Sequence, residues 1–238
     1  MDESIRREQS GWDSPGAVQF YRTHRNQPEN MYPSERFFLP SVLQQVTKVL
    51  DVGCAAGGFS RIMRSFNPNL RYTGVDISEE LLAVARQENP DCDFFLGDGV
   101  HFSFPPGSFD LVYCTGILHV NSQWKKMIRA MWELCNKFLL FDVRLTQDSS
   151  TAGSLSLDYG DGLPSHQNLP YQVFNTQEWI SFIRTLTPRP SRMQVRGYPH
   201  PVSEMAVLPI DQVIMAFCLL TKGTTQDAQE EVNFDTTS

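Results

Sequence analysis

The sequence predicts an α/β fold, a mostly parallel sheet with helices on both faces. Three observations predict it. Between residues 47 and 145, short apolar runs alternate with stretches of helical periodicity. The noteworthy acids and small residues fall at the carboxyl ends of those runs, where such sheets bind ligands. The first run, Val49-Leu50-Asp51-Val52, enters the small-residue loop Gly53-Cys54-Ala55-Ala56-Gly57-Gly58 and then a helix at once.

The first 30 residues are polar, with one short helix expected from Ala17, Val18, Phe20 and Tyr21 after Asp13-Ser14-Pro15. Pro40 suits a first helical turn, so a helix over 40–46 should lead into strand one. Gly53, Ala55 and Gly57 lack bulky side chains, so the turn can be sharp and its backbone can approach a ligand. Phe59, Ile62, Met63 and Phe66 make one helical face, stopped by Asn67-Pro68. Strand two, Arg71–Asp76, ends in an acid 23 residues after Gly53. That is near the place where a nucleotide-binding fold sets a carboxylate on ribose hydroxyls. Ser78 caps the next helix, with Glu79 and Glu80 in its first turn. Strand three, Asp93–Leu96, runs into Gly97-Asp98-Gly99 and a second acid.

Strand four, Ser108–Tyr113, exits into Cys114-Thr115-Gly116-Ile117-Leu118-His119. Asn121 should cap a helix whose inner face holds Trp124, Met127, Ile128, Met131, Trp132 and Cys135. Strand five covers Phe138–Val143. The alternation then stops. Residues 146–172 are rich in Ser, Gly, Asp and Pro without periodicity, and a loop of that length is usually functional or mobile. Asn175 caps a helix carrying Trp179, Phe182, Ile183 and Leu186, and strands follow at 193–197 and 213–220. From Gly223 the chain is acidic and poor in apolar residues, which predicts disorder over 223–238.

Composition narrows the function. Twenty Lys and Arg against 27 Asp and Glu give a formal charge of −7, which argues against a protein that grips nucleic acid through phosphates. Five cysteines without a C-x-x-C spacing argue against a disulfide framework or zinc site, so no metal is expected. No leader-like apolar segment and no run long enough to span a bilayer is present, and the expectation is a soluble, cytoplasmic protein.

Four pieces in order, Asp51-x-Gly53-x-Ala55-x-Gly57, Gly74-Val75-Asp76-Ile77-Ser78, Gly97-Asp98-Gly99 and Ser108-Phe109-Asp110-Leu111-Val112 with Ile117-Leu118-His119, resemble the class I S-adenosylmethionine-dependent methyltransferases. The resemblance covers residues 47–145. It implies one domain over 1–222, with an N-terminal cap over 1–46 and a lid-like insertion over 146–172. It implies a seven-stranded sheet of order 3-2-1-4-5-7-6 with the last strand antiparallel. It places the loop from Asp51 and Gly53 through Cys54 and Ala55 to Gly57 under the methionine part of S-adenosylmethionine. Asp76 would hold the ribose, Ile77 would pack on adenine, and Asp98, followed by Gly99, would accept from the adenine amino group. Cys114 and Thr115 would line the methionyl side, and Tyr32 or Arg36 would reach the cofactor's carboxylate. Ala55 replaces a glycine of the pattern, a small change if its φ is negative. The stretches 31–38, 54–59 and 141–145 also look like a bacterial subgroup acting on surface glycans or natural products.

The expected activity is methyl transfer to a small-molecule or glycan acceptor, with oxygen as the expected acceptor atom. Its rivals fit less well. A nicotinamide dehydrogenase needs Gly-x-Gly-x-x-Gly, whereas the small residues here fall at 53, 55 and 57. RNA methyltransferases resemble the 55–59 loop, yet their Asp after strand four and Lys after strand five read Cys114 and Arg144 here. A non-catalytic cofactor-binding or interaction module would not need both Asp76 and Asp98. His119 is the leading candidate general base, ahead of Tyr113, Asp142, Arg144 and His166. A carboxylate acceptor would need no base. Residues 146–172 and the N-terminal 30 should form the acceptor pocket.

Overall fold

The computed structural model describes residue 12 and residues 15–159, 168–223 and 228–234. His166 therefore lies outside the described residues. The first five strands come in the expected order, with a helix between each pair except β3 and β4: β1 (Lys48–Val52), β2 (Arg71–Asp76), β3 (Asp93–Leu96), β4 (Phe109–Cys114) and β5 (Cys135–Thr146). Between them run α3 (Gly58–Phe66), α4 (Glu79–Glu88) and α5 (Trp124–Leu134), preceded by α1 (Pro15–Thr23) and α2 (Pro33–Leu43). Later come β6 (Thr151–Ser156), β7 (Asn168–Asn175), α6 (Thr176–Ile183), β8 (Arg192–Pro201), β9 (Ala206–Val207), β10 (Gln212–Thr221) and β11 (Gln229–Phe234).

The central sheet has the order β11-β8-β10-β5-β4-β1-β2-β3. Seven of its strands reproduce the expected order, with β10 in the antiparallel position between β5 and β8. The count of seven is too low, because the described residues form eleven strands. Both faces are buried, and the side chains divide by alternation. Val49, Leu111, Tyr113, Leu140 and Phe217 face α2 and α3. Leu50, Val112, Cys114, Phe141 and Cys218 face α5 and α6.

Four local expectations need correction. The helix before β1 opens at Pro33, not Pro40, which sits inside α2. Pro33 supplies a first-turn proline, and Glu35 accepts from the Tyr32 N–H at 3.0 Å to hold that end. Asn121 stands ahead of α5 rather than at its cap, accepting from the Gln123 N–H at 2.7 Å. The insertion after β5 is not an irregular loop throughout. β6 pairs antiparallel with β7 and with the short β9, and at Gly153 an added Cβ would stand 1.9 Å from the Val207 carbonyl oxygen. Only glycine permits that approach. The acidic tail is not disordered over 229–234. It forms β11, parallel to β8, and Glu230 and Glu231 reach Arg184, Arg189 and Arg192.

The loop after β1 holds a non-glycine residue in the left-handed region. Ala55 has φ +46, in the left-handed region, so the replacement of glycine is not the small change expected for a negative φ. Ala55→Gly should therefore raise stability by about 0.5–1 kcal/mol, relief of strain less the added chain entropy of glycine. Gly53→Ala should do the reverse, since Gly53 has φ +81 and an added Cβ would lie 2.5 Å from Ile117 Cγ1. Paired urea melts of the two variants check both signs.

Candidate active site

The carboxyl ends of β1, β2, β4 and β5 open into a cavity of about 330 Å³. Its floor begins with the loop after β1, where the Gly53 and Cys54 N–H groups donate to the Val75 carbonyl at 2.8 and 3.1 Å. Those bonds lash the loop to β2. Asp76, at the end of β2, accepts from the Ala55 N–H at 2.8 Å through Oδ2 and from the Ser78 N–H at 3.0 Å through Oδ1. Its carboxylate is thus fixed by backbone donors of two turns. Asp98 accepts from the N–H groups of Val100 and His101 and pairs with the His101 ring at 2.8 Å. Burial alone would raise its pKa, but these hydrogen bonds outweigh it and hold the carboxyl below its ordinary range.

A second constellation closes the near side. Glu35, with no exposed surface, accepts from Arg25 Nη2 at 2.5 Å and from the Tyr113 hydroxyl. Burial raises its pKa, opposed by Arg25 and Tyr113. Arg25 Nη1 donates to Thr115 Oγ1 at 3.2 Å, and the guanidinium lies 4.2 Å from the Tyr32 ring centroid and 4.9 Å from that of Phe59. Arg25 Nε is buried and has no hydrogen-bond partner among the described residues.

The third constellation sits at the end of β5. Asp142 and Arg144 are two residues apart on one strand, so their side chains leave the same face. Arg144 Nη1 donates to Asp142 Oδ2 at 2.7 Å, and Asp142 Oδ1 accepts from the Gly116 N–H at 2.8 Å. Burial would raise the Asp142 pKa, but Arg144 beside it pulls it below the ordinary range. Arg144 lines the cavity, whereas Asp142 lies behind it. Opposite stand Leu155 and Leu157 from the β6 hairpin, with Leu169 and Met205. Tyr159 meets Phe20 and Tyr21 of α1 at ring-centroid distances of 5.5 and 6.0 Å, so the hairpin and the N-terminal helix join over the cavity.

Of the residues expected at the site, Gly53, Cys54, Ala55, Asp76, Ile77, Asp98, Gly99, Thr115, Tyr32 and His119 line this cavity. Four do not. Asp51 lies beneath the loop and takes the Tyr72 hydroxyl. Gly57 serves α3 instead, as a left-handed residue at its N-terminus. Cys114 is fully buried in the core under α5. Arg36 is exposed and donates to the carbonyls of Pro28 and Glu29 at 3.3 and 3.0 Å. Arg25, which had no distinguishing signal, lines the cavity beside Tyr32. Among the weaker base candidates, Tyr113 and Asp142 are buried away from the cavity, and Arg144 is a permanent cation that cannot accept a proton. His119 faces the cavity, but burial, with Arg144 nearby, lowers its pKa to about 3. A group so weakly basic is a poor general base.

Among the described residues no cluster of His, Cys, Asp and Glu is placed to hold a metal ion, and no helix is long and apolar enough to cross a membrane.

This architecture has known counterparts. Residues 49–137 match the methyltransferase-domain family. The chain has the class I methyltransferase fold. Trans-aconitate 2-methyltransferase of Klebsiella pneumoniae is 36% identical over 80 residues, 34% of this chain and 30% of that protein. Demethylmenaquinone methyltransferase of Thermotoga maritima is 34% identical over 65 residues, 27% of this chain and 28% of that protein. The matched stretch thus spans about a third of the length of these relatives. Phosphoethanolamine N-methyltransferase 2 of Haemonchus contortus, solved with phosphomonomethylethanolamine and S-adenosylhomocysteine, superposes with a TM-score of 0.61 at 14% identity, covering 91% of this chain and 60% of that one. A methyltransferase of Methanosarcina mazei gives 0.58 at 15%, covering 82% and 99%. At such identities the likeness is one of fold.

Two buried groups give the chain opposed responses to pH. Burial raises the Asp51 pKa to about 7, so the folded chain keeps a proton that the unfolded chain releases from about pH 4 upward. Asp51 therefore lowers stability progressively as pH rises from about 4 to 7. His119 does the opposite, because its pKa is depressed in the folded chain, and its contribution is lost as pH falls from about 6.5 to 3. Asp51→Asn should make stability climb more steeply with pH across roughly pH 4–6.5, by up to about 1.4 kcal/mol per pH unit. His119→Asn should flatten the same climb. Urea denaturation at several pH values checks the two slopes.

Proposed function

We propose that this protein is an S-adenosylmethionine-dependent methyltransferase whose acceptor is a small molecule methylated on oxygen. The observation that carries the reading is the Asp76 carboxylate, held on the cavity wall by the Ala55 and Ser78 N–H groups beside a small-residue loop. The family match over 49–137 and the methyltransferase names of the relatives support it. So does the trans-aconitate 2-methyltransferase match, whose name denotes a small-molecule acceptor.

The residues present fit this cofactor. Asp76 offers a carboxylate to a pair of hydroxyls. Ile77, Leu81 and Met127 give apolar walls suited to a purine, and Asp98 offers an acceptor at its rim. Arg25 has a buried Nε without a partner among the described residues, a donor suited to an amino-acid carboxylate. When bound, the cofactor supplies a methyl group activated by a sulfonium. The chain's own contribution is placement and exclusion of water. Holding the reacting atoms in line can supply up to roughly 7–11 kcal/mol. The contacts of Tyr159 with Phe20 and Tyr21 cover the site, a lid role for the 146–172 segment together with the N-terminal helix.

S-adenosylhomocysteine should bind the purified protein with micromolar affinity by calorimetry, and the absence of both heat and thermal shift would refute the reading. Asp76→Asn keeps an acceptor for a backbone N–H and should fold, yet lose about ten- to hundredfold in affinity as charge-assisted hydrogen bonds are weakened. Asp76→Ala should show the same loss with a lower melting temperature, because it also frees the Ala55 N–H.

A further inference from the structure

We infer that the acceptor is a monocarboxylic acid with an apolar body, that Arg144 holds its carboxylate, and that the product is a methyl ester. The inference rests on the methyltransferase reading and deepens it. It begins with Arg144, a buried guanidinium on the cavity wall. Arginine carries five N–H donors, and among the described residues Arg144 spends one of them, on Asp142. Its remaining donors are open to the cavity, and a ligand that displaces water from them must replace those hydrogen bonds. A bidentate carboxylate is the ligand whose geometry replaces them.

The wall facing this cation decides the rest of the acceptor. Val120, Leu155, Leu157, Leu169 and Met205 offer no cation, and Asp158 beside them is an acid, so a di- or triacid would bury a carboxylate without a partner. The other cationic side chain nearby, Arg25, has its two Nη atoms on Glu35 and Thr115, and its Nε is the donor assigned above to the cofactor's carboxylate. A single acid group on an apolar body satisfies Arg144 and the hairpin together.

The chemistry agrees. A hydroxyl acceptor must lose a proton, and His119 is too weakly basic to take it at neutral pH. An ionised carboxylate has no proton to lose. One carboxylate oxygen donates its electron pair to the methyl carbon, forming an O–CH3 bond. The S–CH3 bond breaks, its electron pair stays on sulfur, and the sulfonium becomes a neutral thioether. Anion and cation disappear together, and no proton, metal or further reactant is needed. Loss of opposite charges is favoured where water is excluded. Arg144 gains nothing as the acid's charge is lost, so it acts by positioning, and its removal should raise KM more than it lowers kcat.

The test uses octanoate, cinnamate and phenylacetate, each beside its amide and its alcohol, with the full-length protein and methyl-labelled S-adenosylmethionine. Calorimetry with S-adenosylhomocysteine comes first. No binding there overturns the methyltransferase reading and this inference with it. With that binding present, at least one acid should bind in the presence of S-adenosylhomocysteine while its amide does not. Label transferred to that acid should be released as methanol by mild base, the signature of an ester. Arg144→Gln should weaken acid binding by about tenfold or more while leaving S-adenosylhomocysteine affinity within about threefold. Because that variant strands the Asp142 carboxylate, Asp142→Asn/Arg144→Gln, which keeps an acceptor for the Gly116 N–H, is run beside it. The inference falls if S-adenosylhomocysteine binds but no acid binds better than its amide. It falls equally if the label goes to the alcohols instead, or if the double variant binds the acid as the parent does.

Discussion

The carboxylate of Glu35 is the interaction on which the closed site depends. It lies on α2 but bonds outside that helix, to Arg25 in the segment before it and to Tyr113 on β4. The N-terminal cap is thereby tied to the centre of the sheet through one side chain. Breaking a buried pair by removing one partner typically costs about 3–5 kcal/mol, because the other charge is stranded. Here the stranded group would be Arg25, with Thr115, Tyr32 and Phe59 arranged around it. The cavity's near wall, the cover formed by α1 and the loop after β4 thus share one anchor.

The acids of the sheet divide by depth. Asp76 and Asp98 reach the cavity and are met by backbone donors, and at Asp98 these hold the carboxyl below its ordinary range. Asp51 begins at an equivalent strand end but stays below the loop, where burial dominates and the carboxyl resists ionisation. Asp142 is equally deep, yet Arg144 beside it reverses the outcome. Position at a strand end does not by itself fix the role of an acid. What settles it is whether the nearest donor is a backbone amide, a guanidinium or a lone hydroxyl.

The parallel half of the sheet was legible in the sequence because both of its faces are buried. Val49-Leu50, Leu111-Val112 and Leu139-Leu140 are continuous apolar pairs bounded by turn residues, a pattern few other structures produce. Asp76 was legible through its spacing from Gly53, and Asp98 through its place in a glycine-flanked turn after a strand. Arg25 was not, since it sits in a loop with φ +51 and belongs to no periodic stretch. Its partner Glu35 is ten residues away, and nothing in either neighbourhood signals the pairing. Pro40 misled because proline at a first turn and proline inside a helix look alike until the true start at Pro33 is known. The β6 hairpin was hidden by short strands rich in Ser and Gly, whose pairing depends on β7 and β9 rather than on their own pattern. The acidic tail misled for a related reason. Its charges imply disorder only until the arginines at 184, 189 and 192 are seen to lie alongside.

Those same arginines give β11 a character unlike the rest of the sheet. Beside its backbone ladder to β8 and the packing of Phe234 against the core, the strand is held by ion pairs at the surface, and Glu230, Glu231 and Val232 are exposed. Exposed pairs weaken as the Debye length shrinks, from about 10 Å at 0.1 M salt to about 3 Å at 1 M, whereas apolar cores do not. Ionic strength therefore bears on this margin of the molecule. Once β11 lifts away, β8 becomes an open edge with unpaired amides and carbonyls, the kind of border along which separate copies of a sheet protein adhere.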